Sequence, residues 1–238
     1  MTDDLNEAER GKRAAAIKAL EWVQDDMKLG LGTGSTAKWF VDLLAGHLNE
    51  TGKQIVAVPT SSRTRDQAAG LGIPLTTLGE AIHLDVTVDG ADEFDGDLNL
   101  IKGGGGALLQ EKIVASASQQ MIVISDPSKQ VETLGAFPLP VEVVQFGWES
   151  TVREIAEILE AAEVETRTIK RRETDGQPFV TDEGHFIADL GLTRIADPDV
   201  LGISLNLVPG VVENGLFCGI ASAVIVGQPD GTAHVIQP

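Results

Sequence analysis

The chain has 238 residues, 42% hydrophobic and 23% charged, enough for one or two domains with cores of their own. A single cysteine, Cys218, excludes an internal disulfide scaffold and cysteine-cluster metal sites, and no apolar run approaches the ~20 residues of a membrane-spanning helix. Eighteen basic against 36 acidic residues give a formal net charge of -18, which argues against nucleic acid and anionic membranes as partners. Only nine residues are lysine, so the excess acid predicts a protein built for high ionic strength, such as one from a halophilic archaeon. It also means that a site for an anion must gather its cations locally, against the field of the whole molecule. The start of the chain is polar and acidic rather than signal-like, and the expected setting is reducing and cytoplasmic.

Residues 7–25 read as a first helix, with Ala14, Ala15, Ile17, Ala19, Leu20 and Val23 on its apolar side. A strand from Leu29 to Leu31 leads through Gly32-Thr33-Gly34-Ser35-Thr36 into a helix ending near Asn49. Strand Ile55 to Pro59, helix Arg63 to Ala69, strand Val86 to Val88, helix Ala107 to Ala117 and strand Met121 to Ser125 follow. Strands that alternate with helices, with polar loops at the strand ends, predict an α/β fold with a mainly parallel, Rossmann-like sheet. After about residue 131 the texture changes. A strand at Val141 to Phe146, an acidic helix over 149–162, a strand at Arg167 to Arg172 and a turn at 174–178 come next. A hairpin is then expected around Asp182-Glu183-Gly184, followed by a short helix over Asp197 to Leu205. These elements predict a second, smaller α+β domain over 132–208, with 1–131 plus 209–238 forming the first. Strands Ala221 to Val226 and Ala233 to Ile236 close the chain. Glu154, Glu157, Glu160 and Glu163 recur every three residues and mark the solvated side of the acidic helix.

Three segments carry chemistry. Gly32 to Thr36 joins a strand to a helix start, where backbone N–H groups and the positive end of the helix dipole meet two hydroxyls. That suits a phosphate; a tight, Ser- or Thr-capped turn is the plainer reading. Gly32, Gly34 and Ala37 match a dinucleotide pattern, but the second strand ends Val58-Pro59-Thr60 without the acid that would hold a ribose, and no Gly-Lys-Thr follows. A small phosphomonoester therefore fits better than a nucleotide. Asp89-Gly90-Ala91-Asp92-Glu93 follows a strand and reads as a grip for sugar hydroxyls, an oxygen-only metal site or a solvated turn. Asp95 and Asp97 read as turn residues. Lys102 then precedes four glycines and Glu111. A cation and a carboxylate beside a sugar are what enediol chemistry needs, one removing a proton next to a carbonyl and the other stabilising the oxygen that gains charge. Lys12 and Lys129 offer further cations.

These runs resemble the type A ribose-5-phosphate isomerases: Gly32 to Thr36, Val88 to Glu93, Ile101 to Gly105 with Glu111-Lys112, Ser128-Lys129-Gln130, Phe137 to Val143, Pro209 to Val212 and Gly215 to Phe217. The resemblance implies reversible isomerisation of D-ribose 5-phosphate and D-ribulose 5-phosphate in the non-oxidative pentose phosphate pathway. It puts Glu111 on the base that moves a proton between C2 and C1 through an enediolate. Lys102 falls on the group beside the reacting oxygens, and Asp89 on the acid–base group for ring opening. Asp92 falls on a residue that orients hydroxyls, Thr33, Gly34, Ser35 and Thr36 on the loop near the substrate, and Lys12 and Lys129 on cations near it. It implies no cofactor, no metal, and a homodimer or homotetramer. Arg63 and Arg65 stay unassigned. A non-catalytic sugar-phosphate sensor and an isomerase of another sugar phosphate are the alternatives.

Overall fold

The computed structural model describes residues 5–238. The first four residues, part of the polar start read above, lie outside the described residues. The chain divides into two compact units. One holds the chain up to Ala91, Gln110–Gln130 and Ile220–Pro238; the other holds Asp92–Leu109 and Val131–Gly219.

The first unit is built on a six-stranded sheet in the order Ala233–Ile236, Ala223–Gly227, Ser118–Ser125, Leu84–Gly90, Met27–Leu31, Ile55–Pro59. Every pairing is parallel except that of Ala233–Ile236 with Ala223–Gly227. The fold is α/β with a Rossmann-like sheet. Its central strands are near-continuous apolar runs because both faces are covered; all five residues of Ala223–Gly227 are buried. Helix Glu7–Ala19 starts where the Asn6 side chain accepts the Glu9 N–H, and it gives way to a 3-10 turn at Leu20–Trp22, short of the predicted residue 25. Its alanines let it lie close on the sheet. A Cβ on Gly11 would sit 2.7 Å from the Gly227 carbonyl oxygen, so the two backbones are in direct contact there.

Strand Met27–Leu31 pairs with Ile55–Pro59 on one side and with Leu84–Gly90 on the other. The connections leave in opposite directions from this strand, which makes its carboxyl end the topological switch point of the sheet, where ligands of such folds bind. Helix Ser35–Thr51 begins there, and helix Ser62–Gly70 begins at the end of the neighbouring strand, capped by Ser61 accepting the Thr64 N–H. A four-residue helix at Leu78–Ala81, absent from the sequence reading, is fixed by a capping box between Thr77 and Glu80.

The second unit has a four-stranded antiparallel sheet in the order Val211–Asn214, Leu139–Val143, Phe186–Gly191, Thr168–Arg171. Helices Trp148–Ala161 and Pro198–Asn206 bury Ile155, Leu159, Leu201 and Leu205 in its core. The predicted strand Val141 to Phe146 is shifted towards Leu139, and Phe146 is exposed. The expected hairpin around residues 182–184 is not formed from two strands. The hairpin lies earlier, with Glu173–Thr174 paired to Gln177–Pro178 across Asp175-Gly176, and 181–185 is a turn closed by the Thr181 and His185 backbones. Residues 92–109 and 209–219, counted with the first domain on sequence, pack with this unit. The strand Val211–Asn214 pairs with Leu139–Val143, and Glu93–Phe94, Leu100–Ile101 and Leu216–Phe217 form a small sheet of two-residue strands too short to show a period.

Candidate active site

Asp89 is the penultimate residue of its strand and is fully buried. Its Oδ1 accepts the Thr33 N–H at 3.0 Å and the Gly90 N–H at 2.7 Å. The loop after Leu31 is wrapped around this carboxylate. A Cβ on Gly32 would fall 2.1 Å from Asp89 Oδ1 and 2.5 Å from its Cα, so position 32 admits no side chain without movement of the loop or the strand. Gly34 serves differently. It has φ 122 and ψ 178, a region open in practice to glycine alone, and it turns the chain into helix Ser35–Thr51 without any side chain capping that helix. The first-turn N–H groups of the helix thus lie at the switch point, flanked by the exposed Ser35 and half-buried Thr36.

Thr33 has a structural job. Its hydroxyl lies 2.8 Å from that of Thr60, 2.7 Å from that of Ser61 and 3.0 Å from that of Thr64, all buried, and the Thr64 hydroxyl in turn donates to the Gly32 carbonyl. This cluster ties the loop to the next strand and helix, and the Thr33 backbone N–H reaches Asp89. On the other side of the loop, Lys12 donates to Ser35 Oγ at 3.0 Å and to Glu9 Oε1 at 2.8 Å, while Trp39 Nε1–H donates to Glu9 Oε2 at 2.7 Å. The Lys12 hydrogen bond, helped by that of Trp39 and opposed by partial burial, holds the Glu9 carboxyl below the usual carboxylate range.

Glu111 occupies the first turn of helix Leu108–Ser116 and is only 4% exposed. Lys129 is half-buried at the end of the turn Pro127–Lys129, after strand Ser118–Ser125, where Asp126 caps the turn through the Ser128 N–H. In the second unit Lys102 is 2% exposed, with its ammonium 5.5 Å from the centre of the Phe217 ring and its backbone N–H on the Gly215 carbonyl. Asp92 accepts the Gly104 N–H at 2.7 Å, and a Cβ on Gly104 would lie 2.6 Å from the same carboxylate. Gly106, at φ +80, leaves the space that the Phe179 ring fills. Arg172 donates to the Gly103 and Gly104 carbonyls and forks onto Asp189, so the glycine run is held from both sides. Glu93 is a clasp, accepting the backbone N–H groups of Gly135 and Phe137. The three acids of residues 89–93 therefore accept from separate sets of backbone N–H groups, five in all. Among the described residues no group of three His, Cys, Asp or Glu is arranged to hold a metal ion.

The chain matches the family model of ribose 5-phosphate isomerase A (phosphoriboisomerase A) over residues 56–231. The chain belongs to that family. A ribose-5-phosphate isomerase A of Parvibaculum lavamentivorans is 57% identical over 94% of this chain and 97% of its own, and that of a Jannaschia species is 53% identical over 99% and 90%. Among solved structures, ribose 5-phosphate isomerase from Plasmodium falciparum superposes with a TM-score of 0.89 at 37% identity, covering 95% of this chain and 97% of that one. A D-ribose-5-phosphate isomerase in complex with phospho-erythronic acid has the same TM-score at 39% identity, covering 98% and 100%.

Of the residues singled out on sequence for an isomerase of this family, Thr33 touches Asp89, Ser35 touches Lys12, and Asp92 touches the glycine run. Asp89 and Glu111 come from the first unit and Lys102 from the second. Arg63 and Arg65 are exposed on helix Ser62–Gly70, and Arg65 pairs with Asp66. Sequence reasoning missed Glu9, Trp39 and Arg172. The (i, i+3) spacing of Glu9 and Lys12 on one helix was the only available signal for the first. The other two touch partners far away in the chain.

Proposed function

We propose that this isomerase interconverts D-ribose 5-phosphate and D-ribulose 5-phosphate, with Glu111, Lys102 and Asp89 as its catalytic groups. The observation that carries the reading is the burial of all three ionisable side chains in a member of this family, since charged groups are rarely taken out of water without a task. The complex of a solved relative with phospho-erythronic acid supports a small sugar phosphate as the ligand class.

In this reading the Glu111 carboxylate takes the proton from C2 of the open-chain aldose and returns it to C1, through a cis-enediolate. Lys102 supplies the positive charge that stabilises the oxygen left negative by that transfer. Asp89, held by the Thr33 and Gly90 N–H groups, moves the hydroxyl proton during ring opening, and Asp92 orients a sugar hydroxyl. The phosphate is received by Lys12, Lys129 and the helix start at Gly34, Ser35 and Thr36, with Thr33 building the loop beneath them. The proton shuttle needs neither metal nor cofactor. We further propose a cytoplasmic homodimer or homotetramer. The net charge of -18 supports adaptation to salt and the lack of membrane or nucleic-acid partners. Conversion of ribose 5-phosphate by the purified protein in the presence of EDTA tests the activity. Turnover is expected; a folded protein that leaves the sugar unchanged refutes it.

A further inference from the structure

Lys12, whose ammonium donates to Ser35 at the helix start, is not a loose surface lysine. Lys12 follows Gly11, where helix Glu7–Ala19 lies backbone to backbone on Gly227, so its Cα is fixed by close packing. Its side chain is 15% exposed, whereas that of Lys38, in an ordinary (i, i+4) pair with Asp42, is 65% exposed. Glu9 lies one turn before Lys12 and spends its two carboxylate oxygens on different partners. Oε1 takes the Lys12 ammonium at 2.8 Å, and Oε2 takes the indole N–H of Trp39 at 2.7 Å. Trp39 stands four residues after Ser35, on the same face of the helix whose N-terminus forms the loop. Ser35 Oγ then receives a second Lys12 hydrogen bond at 3.0 Å. Lysine, carboxylate, indole and hydroxyl thus close a ring across two helices, with the ammonium beside the open helix start.

We propose that Glu9 is a positioning residue, one that fixes the Lys12 ammonium against the Gly34–Thr36 helix start before the substrate phosphate arrives. The inference rests on the reading of Lys12 as a phosphate cation. A free lysine stem has many rotamers, and an anion that had to order it would bind more weakly. The Glu9 carboxylate has that order in place, and its link to Trp39 ties the lysine to the element that carries the anion-binding N–H groups. Its charge works in the opposite direction, because a carboxylate near an anion site repels the anion. The positioning effect is the larger one in this proposal, since both of its oxygens are committed to donors in the ring.

Kinetics of E9A, E9Q, K12A and the E9A/K12A double variant on ribose 5-phosphate, with inorganic phosphate as competing inhibitor, decide the matter. E9A is expected to raise KM and the phosphate inhibition constant together, by about 3- to 10-fold, while kcat stays within about twofold. E9Q keeps one acceptor oxygen and falls between E9A and the unaltered protein. The double variant matches K12A, because the effect of Glu9 passes through Lys12. An E9A protein with unchanged or lowered KM overturns the proposal, as does a double variant in which E9A adds its full factor to that of K12A. A K12A protein with the KM of the unaltered enzyme overturns the phosphate reading itself, and is thereby distinguished from failure of Glu9 alone.

Discussion

Replacing Gly32 by alanine probes the contact between the loop and the buried carboxylate. The added methyl would lie 2.1 Å from Asp89 Oδ1, 2.2 Å from its Cγ and 2.5 Å from its Cα. The Cα belongs to strand Leu84–Gly90, paired on both sides in the sheet, so it cannot yield. The loop must lift instead, and the Thr33 N–H loses its 3.0 Å bond to Asp89. Overpacking of this kind costs ~1–3 kcal/mol, and a lost hydrogen bond to a charged acceptor ~1.5–3 kcal/mol. The combined ~2.5–6 kcal/mol is a large share of a typical stability of ~5–15 kcal/mol, and moves a urea midpoint down by roughly 1–3 M. Because Asp89 is left with a displaced partner, kcat falls as well. Gly34→Ala is the comparison: its methyl meets nothing within 4 Å, and the cost is backbone strain at φ 122, about 1–3 kcal/mol. That variant moves the helix start and acts on KM. Urea unfolding and steady-state kinetics of both proteins provide the test. A Gly32→Ala protein with unaltered midpoint and kcat would refute the account of the loop as a wrap around Asp89.

Two other predictions concern charge. Burial raises the pKa of Glu142 above its ordinary 4.5, against hydrogen bonds from His185 and Thr181 and aided slightly by Glu183. A raised folded-state pKa gives stability that is complete below about 4.5 and is lost as pH rises through the raised value. Thermal melting of E142Q against the unaltered protein should therefore show the variant gaining ground from pH 4 to pH 7; a variant that loses ground would mean that the ion pair with His185 outweighs burial. The excess of 36 acidic over 18 basic residues predicts that the urea midpoint rises between ~0.1 M and ~2 M KCl as repulsion is screened, and a flat or falling midpoint would contradict salt adaptation.

Much of the first unit was legible because its signals are local. The strand Ile55–Pro59 and the helices at 35–51 and 62–70 follow from apolar runs, caps and glycines within a few residues. The chemistry-bearing segments were legible too, as carboxylates and glycines at strand ends. What escaped depends on distant partners. Glu93 reads as one of three acids in a loop, yet it serves the backbone of Gly135 and Phe137. Thr33 reads only as part of the loop near the substrate, and the hydrogen bonds of its hydroxyl to Thr60, Ser61 and Thr64 carry no local signal. The segments 92–109 and 209–219 carry strands of two to four residues, too brief for a period-2 pattern, so their place with the second unit shows only in the pairing. Asp182-Glu183-Gly184 looked like the hairpin turn, but Asp175-Gly176, both at positive φ, is the pair that closes one.

In the proposed reaction Glu111 carries the proton between C2 and C1. Glutamine at this position keeps the size and the burial of the side chain and removes its basicity. The most direct test is the turnover of ribose 5-phosphate by E111Q with KM measured in the same experiment. A fall in kcat of at least ~10² to 10⁴ is expected, with KM within a few-fold of the unaltered enzyme. Near-normal turnover in E111Q would contradict it and move the proton transfer to another group.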